Sequence, residues 1–378
     1  MQCKCRQSDL AAALKKVDAA VSRKNVVPAL AGVLLEAGED KLRVYATDLD
    51  VGVEVFVPAE VSDPGQALPP HKTFKGLVAS LPDGEVELTA DEAANRLTLS
   101  QEKRRYSFDM LDPEVFPAFP DVDGSEAFTL PSAALARAVR SVSPAAAVDP
   151  FQGAFACVLL EKDAEKEVLR LVATDRQRLA VAEAPWSGRG DGEAPVNDVL
   201  LPAASSKALL DVLSGAAGSE PKAELRFSGS FVVARTDDGN GFFARMGAGA
   251  FPNYRLVLPQ DLPDPMRIDV GALKNALERA ALLLSGQPGK PPLVELETGA
   301  GILTVFALDD PSICREEIPV SGDGAGTETS VAANALFLLD AVRPLDGEVL
   351  INLPAGRGLI VVRDAAMNYT HAVAPITV

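Results

Sequence analysis

The stretch VATDRQRLAV at residues 172–181 has two counterparts in the same chain, YATDLDVGVEV at 45–55 and VFALDDPSICREEI at 305–318. Aligned on the Thr or Leu before their shared aspartate, the three stretches lie 127 and then 134 residues apart. One third of the 378 residues is 126, so the repeat accounts for the whole chain. A repeat of that length has the size of a domain, and the sequence therefore predicts three copies of one structural unit.

Each copy contains the same order of elements around this phrase. A short strand and an amphipathic helix come first, then a hairpin that the phrase closes, then a second helix and further strands. The sequence therefore predicts an α+β fold in which each copy is βαβββ written twice, with largely antiparallel sheets and the helices on one face. The six helical segments lie at residues 8–21, 71–81, 132–142, 203–213, 270–284 and 333–343.

Proline-rich stretches mark where one copy ends and the next begins. FPAFPDVD at 116–123 and FPNYRLVLP at 251–259 each place Phe-Pro before another aromatic residue, and such extended chain suits a connector between domains. We therefore predict domains at residues 1–123, 124–258 and 259–378.

Composition limits the class of protein. With 53 acidic and 36 basic residues, the net charge is −17, which taken alone argues against a protein that coats DNA phosphates with Lys and Arg. No run of about 18 apolar residues occurs, and the N-terminus is too charged for a signal peptide, so we expect a cytoplasmic protein. Cys3, Cys5, Cys157 and Cys314 are too scattered for a disulfide framework, and with two histidines they form no zinc-binding pattern.

An enzyme is the alternative that the shared aspartates raise. Asp48, Asp175 and Asp309 fall one per copy, so nothing brings them into one cleft, and the simpler interpretation is that each caps a turn through its side-chain oxygen. The chain has no Walker A loop, no His-Glu-x-x-His and no Gly-x-Ser-x-Gly motif. A nucleophile–His dyad would need His71 or His371, and neither neighbourhood offers a partner. We expect no catalytic residue, metal or cofactor.

The helical segments reverse the charge balance of the chain, because they contain ten basic residues and only five acidic ones. If all six helices lie on the same face of their sheets, that face is locally basic on an otherwise acidic protein. The alternative is that helices simply accommodate Lys and Arg well. The ten basic residues are Lys15, Lys16, Lys72, Lys75, Arg137, Arg140, Lys207, Lys274, Arg279 and Arg343.

Together these features resemble the beta subunit family of bacterial DNA polymerase III, the sliding clamps. The resemblance covers essentially the whole chain and is sharpest at LRLVATDRQRLAV, FPNYRLVLP and DPEVFPAFP. It implies a non-catalytic, head-to-tail homodimer of six domains, whose twelve helices line a hole around double-stranded DNA. Such a ring would tether the replicative polymerase, and its inner face needs only weak, sequence-independent attraction to phosphate. An acidic outer surface would keep DNA off the wrong side.

The resemblance also assigns residues to DNA contact and to ring closure. The ten helix cations would face the DNA, together with Arg23 and with Lys24, which stands at the position of a family arginine that contacts DNA. The residues assigned to the dimer interface are Arg104, Arg105, Tyr106 and Phe108 in the stretch KRRYSF, and Leu283 and Leu284 at the end of a third-copy helix. The acidic residues expected opposite the arginines are Asp309, Asp310, Glu316 and Glu317, with Arg315 among them.

A groove between the second and third domains is a further implication of the resemblance. In the family it binds short linear peptides of the polymerase catalytic subunit, the clamp loader and repair proteins. An apolar slot with a few polar edges suits an extended peptide with two aliphatic or aromatic anchors. The family positions fall here on Phe155, Thr174, Arg176, Gln177, Arg178, Leu179, Pro252, Leu256, Val257, Phe337, Val373, Ala374 and Pro375.

This chain departs from the family at several of these positions. Arg176 and Gln177 replace a Gly-His pair, Leu256 replaces an Arg and Ala374 a Met, so the peptide specificity would differ. The sequence has Ala-Ala at 203–204 where a basic pair is expected and Gly-Ala at 153–154 where an aromatic pair is expected, which would weaken DNA contact. The alternative function is therefore a divergent, paralogous clamp that acts as a protein-interaction scaffold.

Overall fold

The computed structural model of the chain describes residues 1–22, 27–122, 125–190, 198–214, 220–228, 230–259, 261–284, 291–309, 312–354 and 358–376, with only the backbone described at 189–190, 308–309 and 312–313. The α-helices are α1 (Gln7–Val17), α2 (His71–Ser80), α3 (Ser132–Val142), α4 (Ser206–Leu213), α5 (Val270–Leu284) and α6 (Ala335–Val342). The strands are β1 (Gln2–Arg6), β2 (Leu34–Gly38), β3 (Lys41–Thr47), β4 (Val51–Asp63), β5 (Gly65–Ala67), β6 (Glu85–Asp91), β7 (Arg96–Gln101), β8 (Arg104–Asp109), β9 (Ala127–Pro131), β10 (Cys157–Asp163), β11 (Val168–Thr174), β12 (Arg178–Pro185), β13 (Gly188–Gly190), β14 (Val199–Pro202), β15 (Lys222–Ser228), β16 (Phe231–Thr236), β17 (Gly241–Arg245), β18 (Met266–Asp269), β19 (Leu293–Gly299), β20 (Ile302–Asp309), β21 (Ser312–Pro319), β22 (Thr329–Asn334), β23 (Glu348–Asn352), β24 (Ile360–Asp364) and β25 (Tyr369–Val373).

This order of elements confirms the predicted α+β fold. Each of the three copies reads βαβββ twice, the first from β1 to β8, the second from β9 to β17 and the third from β18 to β25. The short strand β13 is an addition to this pattern in the second copy. The hairpins on both sides of the repeated phrase are antiparallel, as the alternating patterns predict.

The helices follow the predicted segments, and local capping explains where their bounds differ. The segment predicted from 333 becomes helical only at Ala335, because Asn334 ends β22 and its side-chain oxygen accepts a hydrogen bond from the N–H of Leu336 (2.9 Å). The segments at 8–21 and 203–213 each contain a 3₁₀ turn, at Asp18–Ala20 and Ala203–Ser205, next to the α-helix.

One compact unit comprises Met1–Ala136, Trp186–Val196 and Ser205–Met246. Its 13-stranded sheet has the order β13-β9-β15-β16-β17-β4-β1-β6-β7-β8, with β3 also paired to β4, and β2 and β5 attached beyond β3. Helix α1 packs on β3 and β4 and against α2, and α4 packs on β4, β16 and β17. The helices bury one side each, with Leu10 and Leu14 of α1 fully inside.

The second compact unit comprises Arg137–Pro185, Asn197–Ala204 and Gly247–Val378. It contains an eight-stranded sheet, in the order β14-β10-β11-β12-β25-β24-β23-β18, and a four-stranded sheet, in the order β21-β20-β19-β22. Helix α5 packs against α6, β20 and β21, and its buried face joins that of α6 in one apolar core.

Both large sheets continue across the predicted domain boundaries. Strand β4, which precedes residue 123, pairs with β17, which follows it. In the same way β12, before residue 258, pairs with β25 in the third copy. Backbone hydrogen bonds therefore join neighbouring copies within each unit, and the division at residues 123 and 258 stays a prediction.

Candidate functional site

The turn between β11 and β12 is held by the side chains of Thr174 and Asp175. The Thr174 hydroxyl donates to the carbonyl oxygen of Arg178 (2.7 Å), while its oxygen accepts from the N–H of Arg176 (3.2 Å). Asp175 Oδ1 accepts from the N–H groups of Gln177 and Arg178, both at 3.0 Å. These bonds satisfy the backbone of a tight turn in which Arg176 has a φ of 76°.

The first copy forms the same turn. Thr47 and Asp48 bond the backbone in the same way, with the Thr47 hydroxyl 2.8 Å from the carbonyl oxygen of Val51, and Leu49 has a φ of 80°. The prediction that the shared aspartate caps a turn is therefore confirmed for Asp48 and Asp175. The side chain of Asp309 lies outside the described residues.

An apolar cavity of about 280 Å³ opens beside the second-copy turn, entirely within the second unit. Nine of the thirteen residues assigned to the peptide groove line it: Phe155, Thr174, Arg176, Gln177, Arg178, Leu179, Pro252, Val257 and Ala374. The hairpin supplies one wall and the FPNYRLVLP stretch another, so two motifs distant in sequence meet at one site.

Four assigned residues lie outside the lining, for reasons of local geometry. Val373 follows Ala372 on β25, and because successive strand side chains point to opposite faces, Ala372 and Ala374 face the cavity while Val373 is buried in the core with α5 and α6. Val373 therefore does not line this cavity, and its assignment to the groove stays a prediction. Pro375 is half-buried and also lies outside the lining.

Leu256 and Phe337 bound the cavity without lining it. Leu256 is 83% exposed on the 3₁₀ turn Tyr254–Leu256, and its side chain lies on the outer surface. Phe337, on α6, stacks under the guanidinium of Arg178 at 4.1 Å from the ring centroid. Each therefore lies next to a residue that lines the cavity, Leu256 beside Val257 in the chain and Phe337 against Arg178.

The lining also includes Asn253, Tyr254, Leu359 and Ala372, which the sequence did not assign to it. The first two belong to the FPNYRLVLP stretch, so their place beside Pro252 was a usable signal. Leu359 immediately precedes β24 and Ala372 lies within β25, and the register that brings them to the hairpin is not visible in either segment alone.

Arg178 is a bridge between three segments of the second unit. Its Nε donates to Asp175 Oδ2 (2.9 Å), its Nη1 to Asp340 Oδ2 on α6 (2.7 Å) and its Nη2 to the carbonyl oxygen of Pro144. The side chain is only 8% exposed. Arg178 therefore fixes the turn to α6, and its cationic groups are already committed to protein partners.

Tyr254 and Arg255 belong to a second ionic cluster beside the cavity. The Tyr254 hydroxyl donates to Glu161 Oε2 (2.8 Å), and Arg255 Nη2 bonds the same oxygen (2.5 Å). Burial raises the pKa of Glu161, but the hydrogen bonds from Arg255 and Tyr254 outweigh it and hold that pKa below its usual value. Burial and the bond to Glu161 raise the pKa of Tyr254 to about 12, so its phenol stays protonated at neutral pH.

Most helix cations are exposed, but four of the ten bind carboxylates. Lys75 contacts Asp18 (2.7 Å) and Lys207 contacts Asp211. Arg279 donates to both oxygens of Glu316 through Nε (2.6 Å) and Nη2 (2.5 Å), and Arg343 contacts Asp340 (3.1 Å). The cations without an ion pair in the described part of the chain are Lys15, Lys16, Lys72, Arg137, Arg140 and Lys274. Arg23 and Lys24 lie outside the described residues.

The residues assigned to ring closure lie on two sheet edges and one helix end. Strand β8 ends the 13-stranded sheet, with Arg104 and Arg105 exposed and Phe108 packed edge-on against Phe74 at 5.5 Å. Tyr106 on the same strand is half-buried. Strand β21 ends the four-stranded sheet. Both edges present backbone groups for pairing with another chain.

The three leucines at the end of α5 differ in burial. Leu284 is 5% exposed and belongs to the core, while Leu282 and Leu283 are 76% and 44% exposed. Burial therefore favours Leu283 over Leu284 as an interface contact, and both assignments stay predictions. The side chains of Asp309 and Asp310 lie outside the described residues. Glu316 binds Arg279, and Glu317 lies 3.4 Å from Arg315.

Cys3, Cys5, His71 and His371 are all buried side chains. Cys3 and Cys5 point to the buried face of β1, and burial raises their pKa values to about 11 and about 12, so both stay protonated thiols. His71 lies 2.9 Å from Asp18, and His371 accepts from or donates to the Tyr369 hydroxyl at 2.8 Å. No group of three metal-ligating side chains occurs among the described residues, and no described helix is long and apolar enough to cross a membrane.

Comparison with known proteins shows the family. The DNA polymerase III beta subunit, N-terminal domain, matches residues 1–120, and the C-terminal domain of the same subunit matches 255–376, together more than half of the chain. The beta sliding clamp of Synechocystis sp. is 28% identical over 389 residues, which cover 98% of each protein.

Solved structures show the same fold. The Caulobacter crescentus beta sliding clamp, crystallised with polyethylene glycol in a region assigned to beta-motif tethering, is 25% identical with a TM-score of 0.82, and the match covers 100% of both chains. A Pseudomonas aeruginosa sliding clamp bound to griselimycin has a TM-score of 0.85 at 24% identity, again over 100% of both chains. With its repeated βαβββ units and these matches along its length, the chain belongs to the DNA polymerase III beta subunit family, the beta sliding clamps.

Proposed function

We propose that this chain is a DNA sliding clamp, a non-catalytic processivity factor that encircles double-stranded DNA and tethers the replicative polymerase during replication. The observation that carries the proposal is the match of both ends of the chain to beta-subunit domains, with the same βαβββ unit repeated between them. Because the DNA that it would encircle is the chromosome, we place the clamp in the cytoplasm.

Ring closure would join two copies head to tail through their sheet edges. Such an interface is heterologous, and two contacts related by a rotation of 180° close it. Strand β8 offers Arg104 and Arg105, and β21 offers Glu316 and Glu317. Because both glutamates already contact arginines of their own chain, the apolar residues Phe108, Leu282 and Leu283 would supply much of the stability.

DNA would be held inside the ring by the exposed helix cations. Lys15, Lys72, Arg137 and Arg140 are exposed and make no ion pair within the described residues, so they can contact phosphates without sequence preference. With a net charge of −17 the rest of the surface repels DNA. Weak inner attraction with outer repulsion suits a ring that slides.

Partner proteins would bind the apolar cavity beside Arg178 through short extended peptides. The buried Leu179, the exposed Val257 and the edges formed by Thr174 and Gln177 offer apolar contact with few polar groups. Peptides from the polymerase catalytic subunit, the clamp loader and repair proteins would compete for it, since one site of this size takes one peptide at a time.

Topological retention on DNA tests the proposal. We expect light scattering to give twice 39.6 kDa, and we expect clamp loader and ATP to place the protein on nicked circular DNA. The loaded protein should survive gel filtration in high salt and leave the DNA after a single restriction cut. Retention that is insensitive to the cut, or a monomer at micromolar concentration, would refute encirclement.

A paralogous scaffold is the second candidate, and one observation favours it. Four of the ten helix cations bind carboxylates in their own chain, which reduces the charge available to DNA. For a scaffold we expect dimerisation and peptide binding with no stimulation of polymerase processivity by the purified protein. For a replicative clamp we expect all three.

A further inference from the structure

Arg176 occupies a backbone position that does not favour an arginine. Its φ of 76° lies in the left-handed region, where residues other than glycine are strained. The equivalent residue of the first copy is Leu49, with a φ of 80° in the same hydrogen-bonded turn. The turn therefore needs only the left-handed backbone, and nothing in its hydrogen bonding selects the arginine side chain.

The side chain of Arg176 is held over the mouth of the cavity. Its guanidinium lies 4.9 Å from the centroid of the Phe155 ring, and Nη2 donates to Gln152 Oε1 (2.6 Å). Arg176 and Phe155 both line the cavity. Stacking and one hydrogen bond restrict the guanidinium while leaving its remaining N–H groups available.

The nearby arginines form ion pairs with carboxylates of their own chain, unlike Arg176. Arg178 is bound to Asp175 and Asp340, and Arg255 to Glu161. Arg176 makes no ion pair within the described part of the chain, although the protein carries a net charge of −17. A positioned cation with free donors at the mouth of an apolar cavity is complementary to a carboxylate that lies next to an apolar anchor.

We propose that Arg176 is a specificity-determining residue that binds an Asp or Glu side chain of the partner peptide, beside the apolar anchor that fills the cavity. The inference rests on the proposed peptide-binding function of this site. It requires partners of this clamp to carry an acidic residue at one fixed distance from their apolar anchors. The interaction is partly exposed, so it should contribute about two- to fivefold in affinity and weaken as salt is raised.

The first copy supplies the matched control. Because the chain already accepts leucine at Leu49 in the same turn, Arg176→Leu removes the cation and keeps the backbone conformation. Arg176→Glu reverses the charge at the same place. Both variants leave Arg178, Asp175 and the apolar lining unchanged.

A random dodecapeptide display library, selected in parallel on the full-length wild type and on Arg176→Leu, locates the acidic position without assuming a motif. We expect both proteins to select two apolar anchors, and only the wild type to enrich Asp or Glu at one offset from them. Synthetic peptides that differ only by Glu or Gln at that offset then quantify the preference by fluorescence anisotropy. The wild type should bind the Glu peptide about two- to fivefold tighter, Arg176→Leu should bind both alike, and Arg176→Glu should prefer the Gln peptide.

The outcomes separate this inference from the function on which it rests. Equal enrichment of acidic residues on wild type and Arg176→Leu, or equal affinity of the wild type for the Glu and Gln peptides, would overturn the role of Arg176 and leave the groove intact. Failure of both proteins to select apolar anchors would overturn the peptide-binding site itself, and with it the role of Arg176.

Discussion

Replacing Arg178 by Met should loosen the attachment of α6 far more than an ordinary surface substitution. The change removes the guanidinium bonds to Asp175 (2.9 Å) and Asp340 (2.7 Å) and the stacking on Phe337 while keeping an apolar chain of similar length. Truncating one partner of a fully buried ion pair costs about 3–5 kcal/mol because the other charge is left without compensation. The two carboxylates are 15% and 20% exposed and can regain some water, so we expect about 3 kcal/mol, at the lower end of that range.

Arg343→Met is the matched control for this prediction. Arg343 binds the other oxygen of the same Asp340, at 3.1 Å, but its side chain is 50% exposed. An exposed ion pair contributes about 0–1 kcal/mol, because water screens the charges and both long side chains lose freedom. The two variants therefore remove one cation each from the same carboxylate and differ in burial.

Hydrogen–deuterium exchange of peptides from Ala335–Val342 and from the turn at 174–178 measures the effect locally. The single tryptophan, Trp186, belongs to the other compact unit, so its fluorescence would not report on this region. At about 1.4 kcal/mol per tenfold, Arg178→Met should reduce protection of α6 roughly 100-fold, and Arg343→Met no more than about fivefold. Equal losses in the two variants would refute the argument that burial makes Arg178 the structural bridge.

Three further predictions concern the interface, acid stability and thiol reactivity. Leu283→Asp should convert the dimer to a monomer in light scattering, with little change in melting temperature. Leu284→Ala should keep the dimer and lose about 2–4 kcal/mol of stability in urea denaturation. The reverse pattern would place Leu284 at the interface. Burial lowers the pKa of His371 to about 3 from 6.5, so the unfolded chain binds the extra proton between these values and stability falls as the pH drops below 6.5. Between pH 6.5 and 4.5 the free energy of unfolding should therefore fall by about 2 kcal/mol less in His371→Leu than in the wild type. Urea denaturation at the two pH values measures this, and an equal loss in both proteins would contradict it. With pKa values of about 11 and about 12, Cys3 and Cys5 should resist Ellman's reagent at pH 8 until the protein is denatured. Mass spectrometry that finds either cysteine modified in the folded protein would disprove their burial.

The repeated phrase and the hydrophobic periodicity were sufficient to predict the element order. Helix and strand patterns are local signals, and the Thr-Asp turn uses its own side chains to bond its own backbone, so Thr47 and Thr174 mark the hairpins without tertiary information. The groove residues next to the turn were assigned to the site only through the family resemblance, because the local pattern predicts a hairpin but no cavity beside it. The FPNYRLVLP stretch came to the site only through its resemblance to a family motif.

The sequence could not predict which residues at a helix end are buried, or which residues far apart in the chain form ion pairs. Leu282, Leu283 and Leu284 are identical in type, and successive helix residues differ by about 100° in direction, so only the packing of α5 decides which one is buried. The neutralisation of Arg279 is equally invisible, because Glu316 is 37 residues away on β21. Counting charges along helices therefore does not reveal which cations already bind a carboxylate of the same chain.

The sheets that cross residues 123 and 258 have a practical consequence for making fragments of this protein. A piece ending at residue 123 would keep β4 but lose β17, and Val51–Glu54 would present unpaired N–H and C=O groups along what is now an interior strand. A piece beginning at residue 259 would keep β25 and lose β12 in the same way. Isolated copies should therefore tend to aggregate or to pair with themselves, whereas fragments cut to retain both partner strands should remain soluble.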